Sequence, residues 1–212
     1  TADAYGYLPE FNAGGTGESN NSASLTRTSA AGATPDLTVT GLTLDPPDPR
    51  SGGGVTVRWN DTNAGGATVT GSWYDRVVVR NTTTGQTLVD QLVFTNVGAE
   101  GPLGSGESRA RAHTFRLPDG PAGVGTLDVT VTTDATGAVF EENAETNNGA
   151  GRSATATLGD YPDLVAANLA VEGSPAIQSG AQLTIRWDDV NTGTAATAGG
   201  WWDYVTVVNT TT

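Results

Sequence analysis

Oxygen-bearing side chains crowd one stretch: Glu141, Glu142, Asn143, Glu145, Asn147 and Asn148 fall within eight positions, and Asp134 stands at the turn before them. Carboxylate and amide oxygens are the hard ligands that Ca²⁺ gathers, roughly six to eight at a time. The spacing lacks the Asp-x-Asp-x-Asp-Gly order of an EF-hand loop, so a calcium site here would be of another build. The same residues also suit a conformational use, since Asn tolerates positive φ and closes its own turn while glutamates stay hydrated. At this level two readings stand for the seven residues: Ca²⁺ ligands, or an Asx-turn loop.

Catalysis has little raw material. His113 is the lone histidine, Cys is absent, and no Gly-x-Ser-x-Gly occurs, so no nucleophile, base and orienting acid assemble by motif. Glu141 and Glu142 are adjacent and point to opposite faces of an extended chain, which spoils them as a glycosidase pair. The chain is therefore expected not to be an enzyme. Asp75 and Asp203, each between an aromatic residue and alternating valines, need a hydrogen-bonding partner if they face a core, because isolated burial of a carboxylate costs several kcal/mol. Asp61-x-Asn63-x-Gly65 and Asp189-x-Asn191-x-Gly193 follow apolar runs and are read as turns. Asn-x-Ser/Thr acceptors stand at Asn20, Asn60, Asn81 and Asn209.

The charge excludes some partners. All 10 basic residues are Arg, scattered along the chain, against 23 acidic ones, for a net charge of −13. Such a surface repels phosphate backbones and attracts cations, so nucleic acid is not expected as a partner. The missing Cys removes disulfides and thiolate metal sites. No apolar run reaches membrane-spanning length, which needs about 18 residues, and no signal-peptide pattern occurs, so no membrane insertion is expected in this segment.

The elements that position these residues repeat. Pro35-Asp36-Leu37, Arg58-Trp59 and Trp73-Tyr74-Asp75 through Thr84 return as Pro162-Asp163-Leu164, Arg186-Trp187 and Trp201-Trp202-Asp203 through Thr212. The offset is 127 residues at Pro162 and 128 at Trp201, so the later copy carries one residue more than the stretch between Leu37 and Trp59. A second recurrence sets Asp3, Gly6, Glu10, Asn12, Glu18, Asn20 and Asn21 against Asp134, Gly137, Glu141, Asn143, Glu145, Asn147 and Asn148. Residues 1–34 thus read as the C-terminal part of one repeat, 35–161 as a complete repeat and 162–212 as the N-terminal part of a third.

Within the complete repeat the apolar period is two. Strands are predicted near Asp36–Leu44, Val55–Asp61, Trp73–Arg80, Thr87–Thr95, Arg109–Leu117, Gly125–Thr132 and Ala154–Leu158, bounded by turn clusters such as Asp45-Pro-Pro-Asp-Pro49. Seven short strands make an all-β sandwich. Alternation puts Val57 and Trp59 on one face and Val77 and Val79 on another, and these, with Leu127 and Val129, are the expected core. A final strand is expected around Ser22–Thr28 in the first flank.

Pro-Asp-Leu at the start of the repeat, the Trp59 strand running into Asn63-x-Gly65, the Trp73-x-Asp75-x-Val77 strand and the closing segment that ends in Asn147-Asn148 together resemble CARDB domains, the cell-adhesion-related domains of bacteria. The resemblance covers nearly all of 35–161. It departs at Asn81-Thr-Thr-Thr84, where many such repeats carry Ser and Asp. It implies immunoglobulin-like sandwiches in tandem, one complete and two partial here, within long secreted or cell-surface bacterial proteins. The function it implies is a structural or adhesive module of a stalk or fibre, whose partners are neighbouring repeats or copies of itself, head to tail. A ligand-binding module that stacks a glycan or another surface ligand on Trp73, Tyr74, Trp201 and Trp202 is the alternative. Exposure of Trp201 and Trp202 would favour that alternative, and burial the spacer.

Overall fold

The computed structural model of the chain describes residues 1–142, 144–172 and 177–210. Its backbone contacts divide it into two units, Thr1–Ala33 and the remainder from Thr34.

In the second unit, β1 (Leu37–Asp45), β2 (Gly54–Asn63) and β5 (Ser108–Arg116) form one antiparallel sheet in the order β1-β2-β5. β3 (Trp73–Asn81), β4 (Gln86–Thr95), β6 (Gly125–Thr132) and β7 (Gly149–Ala156) form the other, in the order β4-β3-β6-β7. A single helical turn, α1 (Val97–Glu100), leaves β4. The inward faces meet over one core: Leu44, Val55, Val57 and Trp59 from the first sheet, Val77, Val79, Val89, Leu127, Val129, Val131 and Ala156 from the second, with Leu117 between them. This is the all-β, immunoglobulin-like sandwich the sequence predicts, and Trp59, Val57, Val77, Val79, Leu127 and Val129 are buried in it. Period-two alternation suffices here because each strand has one wet face and one dry face.

Two strand expectations need correction. The last strand of the repeat runs over Gly149–Ala156, not Ala154–Leu158. Gly149, Gly151 and Arg152 read as turn and surface residues, yet they pair in unbroken register with Thr132, Thr130 and Val129 of β6. Around Ser22–Thr28 there is no strand at all. A strand is defined by its ladder, and within the first unit that segment has no neighbour to pair with.

β8 (Leu164–Glu172) pairs with β9 (Thr184–Asn191) as β1 pairs with β2, and each pair slips register at the same place, between Thr40 and Thr43 and between Ala167 and Ala170. The slips sit on residues with positive φ, Gly41 at 63° and Asn168 at 52°. Gly and Asn are the types that enter this region most readily. β8, β9 and the segment 201–208 border an open cavity of about 720 Å³ lined by Val165, Leu169, Ile185, Trp187 and Val205. In the sandwich of β1–β7 the inward residues of β1, β2 and β3 pack instead against Val89, Leu117, Leu127, Val129, Val131 and Ala156.

Candidate functional site

Two polar clusters stand out against this framework, one inside the sandwich and one at its end. The inner cluster follows from alternation in β2. The inward set Val55, Val57 and Trp59 continues through Asp61 and Asn63, so the strand delivers two polar residues to the dry side, and all five are buried. β3 does the same with Trp73 and Asp75. The Trp59 Nε1–H is shared between Asp61 Oδ1 (3.0 Å) and Asp75 Oδ2 (3.2 Å), and Trp73 Nε1 donates to Asp75 Oδ1 (3.0 Å). Arg111, opposite Trp59 in the β2–β5 register, brings its Nε to 3.8 Å from Asp61 Oδ2 and 3.7 Å from Asp75 Oδ2. Its other nitrogens are held by the Phe94 carbonyl (2.7 Å) and by Glu100 Oε2 (3.4 Å) on α1. Arg109 stacks over the Trp73 ring, 5.9 Å from its centroid.

Burial pushes the Asp61 carboxyl up to about 8, and the adjacent charge of Asp75 adds to the rise; Arg111 and the Trp59 N–H oppose it. Burial raises Asp75 as well, against the hydrogen bond from Asp61 and the charge of Arg111. Two buried carboxyls so placed oppose each other's ionisation, a conflict relieved when the pair holds one proton between them. Both are 0% exposed, which keeps substrate and bulk water from them, so their chemistry is to pin three strands rather than to transfer protons to a ligand. Asp75 thus takes the hydrogen-bonded role that its position requires. Asp61 and Asn63, read from the sequence as turn residues, instead close β2, and the two-residue spacing of Asp61 from Trp59 puts it on the same face. The later copy repeats this in part: Trp187 Nε1 donates to Asp203 Oδ2 (3.2 Å) as Trp59 does to Asp75, while Trp201 Nε1 donates to Asp189 Oδ2 (3.1 Å), the counterpart of Asp61, where Trp73 donates to Asp75.

Asn63 works as a bolt. Its Oδ1 accepts the N–H groups of Asp36 (3.2 Å) and Gly65 (3.1 Å), and its Nδ2 donates to the Ala67 carbonyl (2.8 Å). Asn191 repeats this with Asp163 (3.0 Å), Gly193 (3.0 Å) and Ala195 (2.7 Å). A Cβ on Gly65 would lie 2.4 Å from the Thr34 carbonyl oxygen and 2.5 Å from the Asp36 nitrogen, so only glycine admits this approach of the chain's first strand.

The outer cluster is the loop from Asp134 to Asn148, by which the chain leaves β6 and returns to β7. Asp134, at φ 42°, accepts the N–H groups of Ala138 and Val139 on its two oxygens, both at 2.8 Å. Glu141 is buried, and its Oε1 accepts the Leu37 N–H at 2.6 Å. Asn147 Nδ2 reaches Asp36 Oδ1 at 3.0 Å, and Glu145 Oε1 accepts the Glu141 N–H at 3.2 Å. The loop therefore clasps Asp36 and Leu37, joining the two ends of the repeat. Burial raises Glu141 and Asp134 above the usual carboxylate range; the Glu145 charge adds to both, and the backbone donors oppose.

Of the seven residues read as calcium ligands, the structure thus uses Asp134, Glu141, Glu145 and Asn147 in hydrogen bonds of the clasp, leaves Glu142 exposed at φ 51°, and buries Asn148. Asn143 lies outside the described residues. Among the described residues no three Asp, Glu or His side chains come together closely enough to hold a metal ion by themselves. In the first unit Asp3, at φ 40°, binds the N–H groups of Tyr7 (2.9 Å) and Leu8 (2.7 Å), and Glu18 Oε1 accepts the Glu10 N–H (2.8 Å), the same bonds in an earlier copy.

The aromatic residues divide. Trp73 is fully buried, which corrects its assignment to a ligand-binding loop; its indole N–H is spent on Asp75. Tyr74 is 40% exposed, packed on Phe94 with centroids 4.7 Å apart, while Trp201 is 47% and Trp202 100% exposed. Of the glycan acceptors, Asn81 is closed, being buried with its Nδ2 on the Val124 carbonyl (2.9 Å).

Among known proteins, the family model named CARDB matches residues 34–152, more than half of the chain. A crystal structure of a CARDB domain of Pyrococcus furiosus, in complex with di-metal ions, is 21% identical, with a TM-score of 0.41, covering 59% of this chain and 96% of that one. A solution structure of the same archaeal domain is 24% identical at a TM-score of 0.41, covering 59% and 98%. An alkylpurine DNA glycosylase of Pseudomonas fluorescens bound to abasic-site DNA is 11% identical at a TM-score of 0.38, covering 57% and 30%. No protein of curated function matches. No helix among the described residues is long and apolar enough to cross a membrane.

Proposed function

Since the chain belongs to the CARDB family, a non-enzymatic β-sandwich family associated with cell-surface proteins, we propose that it is a structural, adhesive segment of an extracellular bacterial stalk or fibre, built by stiff end-to-end joining of repeats. The observation that carries this reading is the joint at Tyr161. Its hydroxyl accepts the Gly120 N–H (2.8 Å) and meets Ser51 Oγ (3.0 Å) at the end of the complete repeat. Its own carbonyl accepts the N–H groups of Thr194 (2.9 Å) and Ala195 (3.2 Å) in the next. Arg50 and Asp160 add an exposed ion pair at 3.2 Å on the near side of the joint. One residue thus hydrogen-bonds on both sides with no flexible linker between, the geometry of a repeat array in which each unit contacts its neighbour.

The apolar cavity over β8 and β9 supports completion of the flanks by neighbouring repeats, in the same polypeptide or in another copy packed head to tail, because an uncovered sheet face forfeits about 25 cal/mol for each Å² of apolar surface. Light scattering combined with limited proteolysis of the 212-residue chain tests this. The expected result is concentration-dependent association, or cleavage confined to the two flanks while 35–158 survives. A monodisperse monomer protected throughout would overturn the proposal.

A second reading, a module that binds a glycan or another surface ligand, is supported by the exposure of the Tyr74–Phe94 pair and of Trp202. Aromatic faces of this kind stack on sugar rings. Glycan-array binding that disappears in Tyr74→Ala would favour it, and a blank array would leave the spacer.

A further inference from the structure

The clasp that closes the complete repeat exists a second time with no strand in its grip. Besides the bonds of Asp3 and Glu18, the first unit repeats the Gly137 N–H bond to the Asp134 carbonyl with Gly6 and Asp3, both at 2.9 Å, and the Thr133 N–H bond to the Asn148 carbonyl (2.9 Å) with Ala2 and Asn21 (2.7 Å). The loop is thus set in its shape in advance. What it grips elsewhere is missing. Val139, 6% exposed, shares a buried cluster with Leu37 and Trp73, whereas its counterpart Leu8 is 65% exposed. Glu10 stands where Glu141 does, yet among the described residues its carboxylate holds no N–H group.

A strand entry without a clasp stands at the start of β8. Asp163 N–H donates to Asn191 Oδ1 (3.0 Å) and its carbonyl accepts the Thr192 N–H (2.7 Å), just as Asp36 donates to Asn63 Oδ1 (3.2 Å) and accepts from Ala64 (2.7 Å). Both groups of Asp163 face β9, so by alternation the Leu164 N–H points away from it, the direction in which Leu37 meets Glu141. Leu164 is 41% exposed where Leu37 is 0%, and from Thr192 to Thr210 the sole acidic residue, Asp203, is held by Trp187. We propose that the loop of residues 2–21 of one copy closes on Asp163 and Leu164 of a second copy. Glu10 accepts the Leu164 N–H, Asn20 donates to Asp163 as Asn147 does to Asp36, and Leu8 seats against Leu164 and the half-exposed Trp201. This rests on the stalk reading and names its contact. The occupant is a second copy because every chain carries one such clasp and one such entry, a heterologous pair that propagates head to tail. Each carboxylate in the contact meets an N–H donor, so the net charge of −13 does not oppose it locally.

The test follows association of the full chain by sedimentation velocity over a concentration series. Leu8→Asp changes an exposed side chain and should abolish association, and Glu10→Ala should weaken it by about tenfold, the loss of one hydrogen bond to a charged group. Because the chain has no Cys, the contact can also be read directly. A short bis-maleimide should join Asn20→Cys to Asp163→Cys when the two variants are mixed, should join neither variant to itself, and should fail when Leu8→Asp is added to the first. Association undiminished in both loop variants, or a mixture that does not cross-link, overturns the clasp and leaves a stalk joined through other faces. A monomer cut in its flanks while 35–158 survives overturns the clasp and leaves repeats completed within one polypeptide. A monomer protected throughout overturns the clasp and the stalk reading together.

Discussion

Replacing Asp61 by Asn probes the inner cluster without changing its shape. The amide keeps an oxygen for the Trp59 N–H and gains two N–H donors for Asp75, while it loses the ability to ionise. In the wild type the folded-state pKa of Asp61 is raised, from 3.8 to about 8. The folded form therefore holds its proton more tightly than the unfolded chain does. Stability from this group is complete below about pH 4, is lost progressively as pH rises through the folded value, and stays lost above about pH 8. Each tenfold gain in proton affinity on folding is worth about 1.4 kcal/mol, so the ceiling on that loss is about 6 kcal/mol. The folded value already contains the opposition of Arg111 and the Trp59 N–H, so about 6 kcal/mol is an upper bound, and a loss of a few kcal/mol, on the order of 2–4, is expected between about pH 4.5 and 8.5. Urea unfolding followed by tryptophan fluorescence across that range reads it directly. Asp134 and Glu141 are also raised and contribute a slope of the same sign in both proteins, so the difference between the wild-type and Asp61→Asn curves isolates the pair. The variant should gain on the wild type steadily as pH rises. Parallel curves would refute proton sharing and leave Asp61 an ordinary ionised partner of Arg111.

Two further outcomes follow from the packing and the joint. Trp59→Ala should cost about 3–5 kcal/mol in the same unfolding assay, toward the upper end because Asp61 Oδ1 and Asp75 Oδ2 both lose a donor; a loss below about 1 kcal/mol would mean that the indole is not a core element. Tyr161→Phe should leave the melt of the sandwich unchanged while amide exchange at Gly120 accelerates by about tenfold, the loss of one part-buried hydrogen bond; an unchanged exchange rate would show that the hydroxyl does not hold the joint.

The parts of this molecule legible in its sequence are those governed by one-dimensional periodicity. Alternation in β2, β3 and β6 names the core because every second residue meets the same environment, and repetition of Trp59 and Asp75 as Trp187 and Asp203 marks them as parts of one device. What the sequence hides is set by contacts between distant segments. Gly149 and Gly151 lie in a strand only because β6 offers a ladder, and Ser22–Thr28 lacks one for the converse reason. Asp61 reads as the first residue of a turn until β5 places Arg111 opposite Trp59, at which point it becomes half of a buried acid pair. Glu141 shows the same dependence most sharply. Among six neighbours of similar chemistry, nothing local distinguishes it from Glu142, yet one oxygen of Glu141 meets the Leu37 N–H across a separation of 104 residues while Glu142 faces water. Burial therefore acts on two adjacent glutamates in opposite ways, and it is the long-range contact with Leu37, rather than the density of acidic residues, that makes one of them part of the clasp.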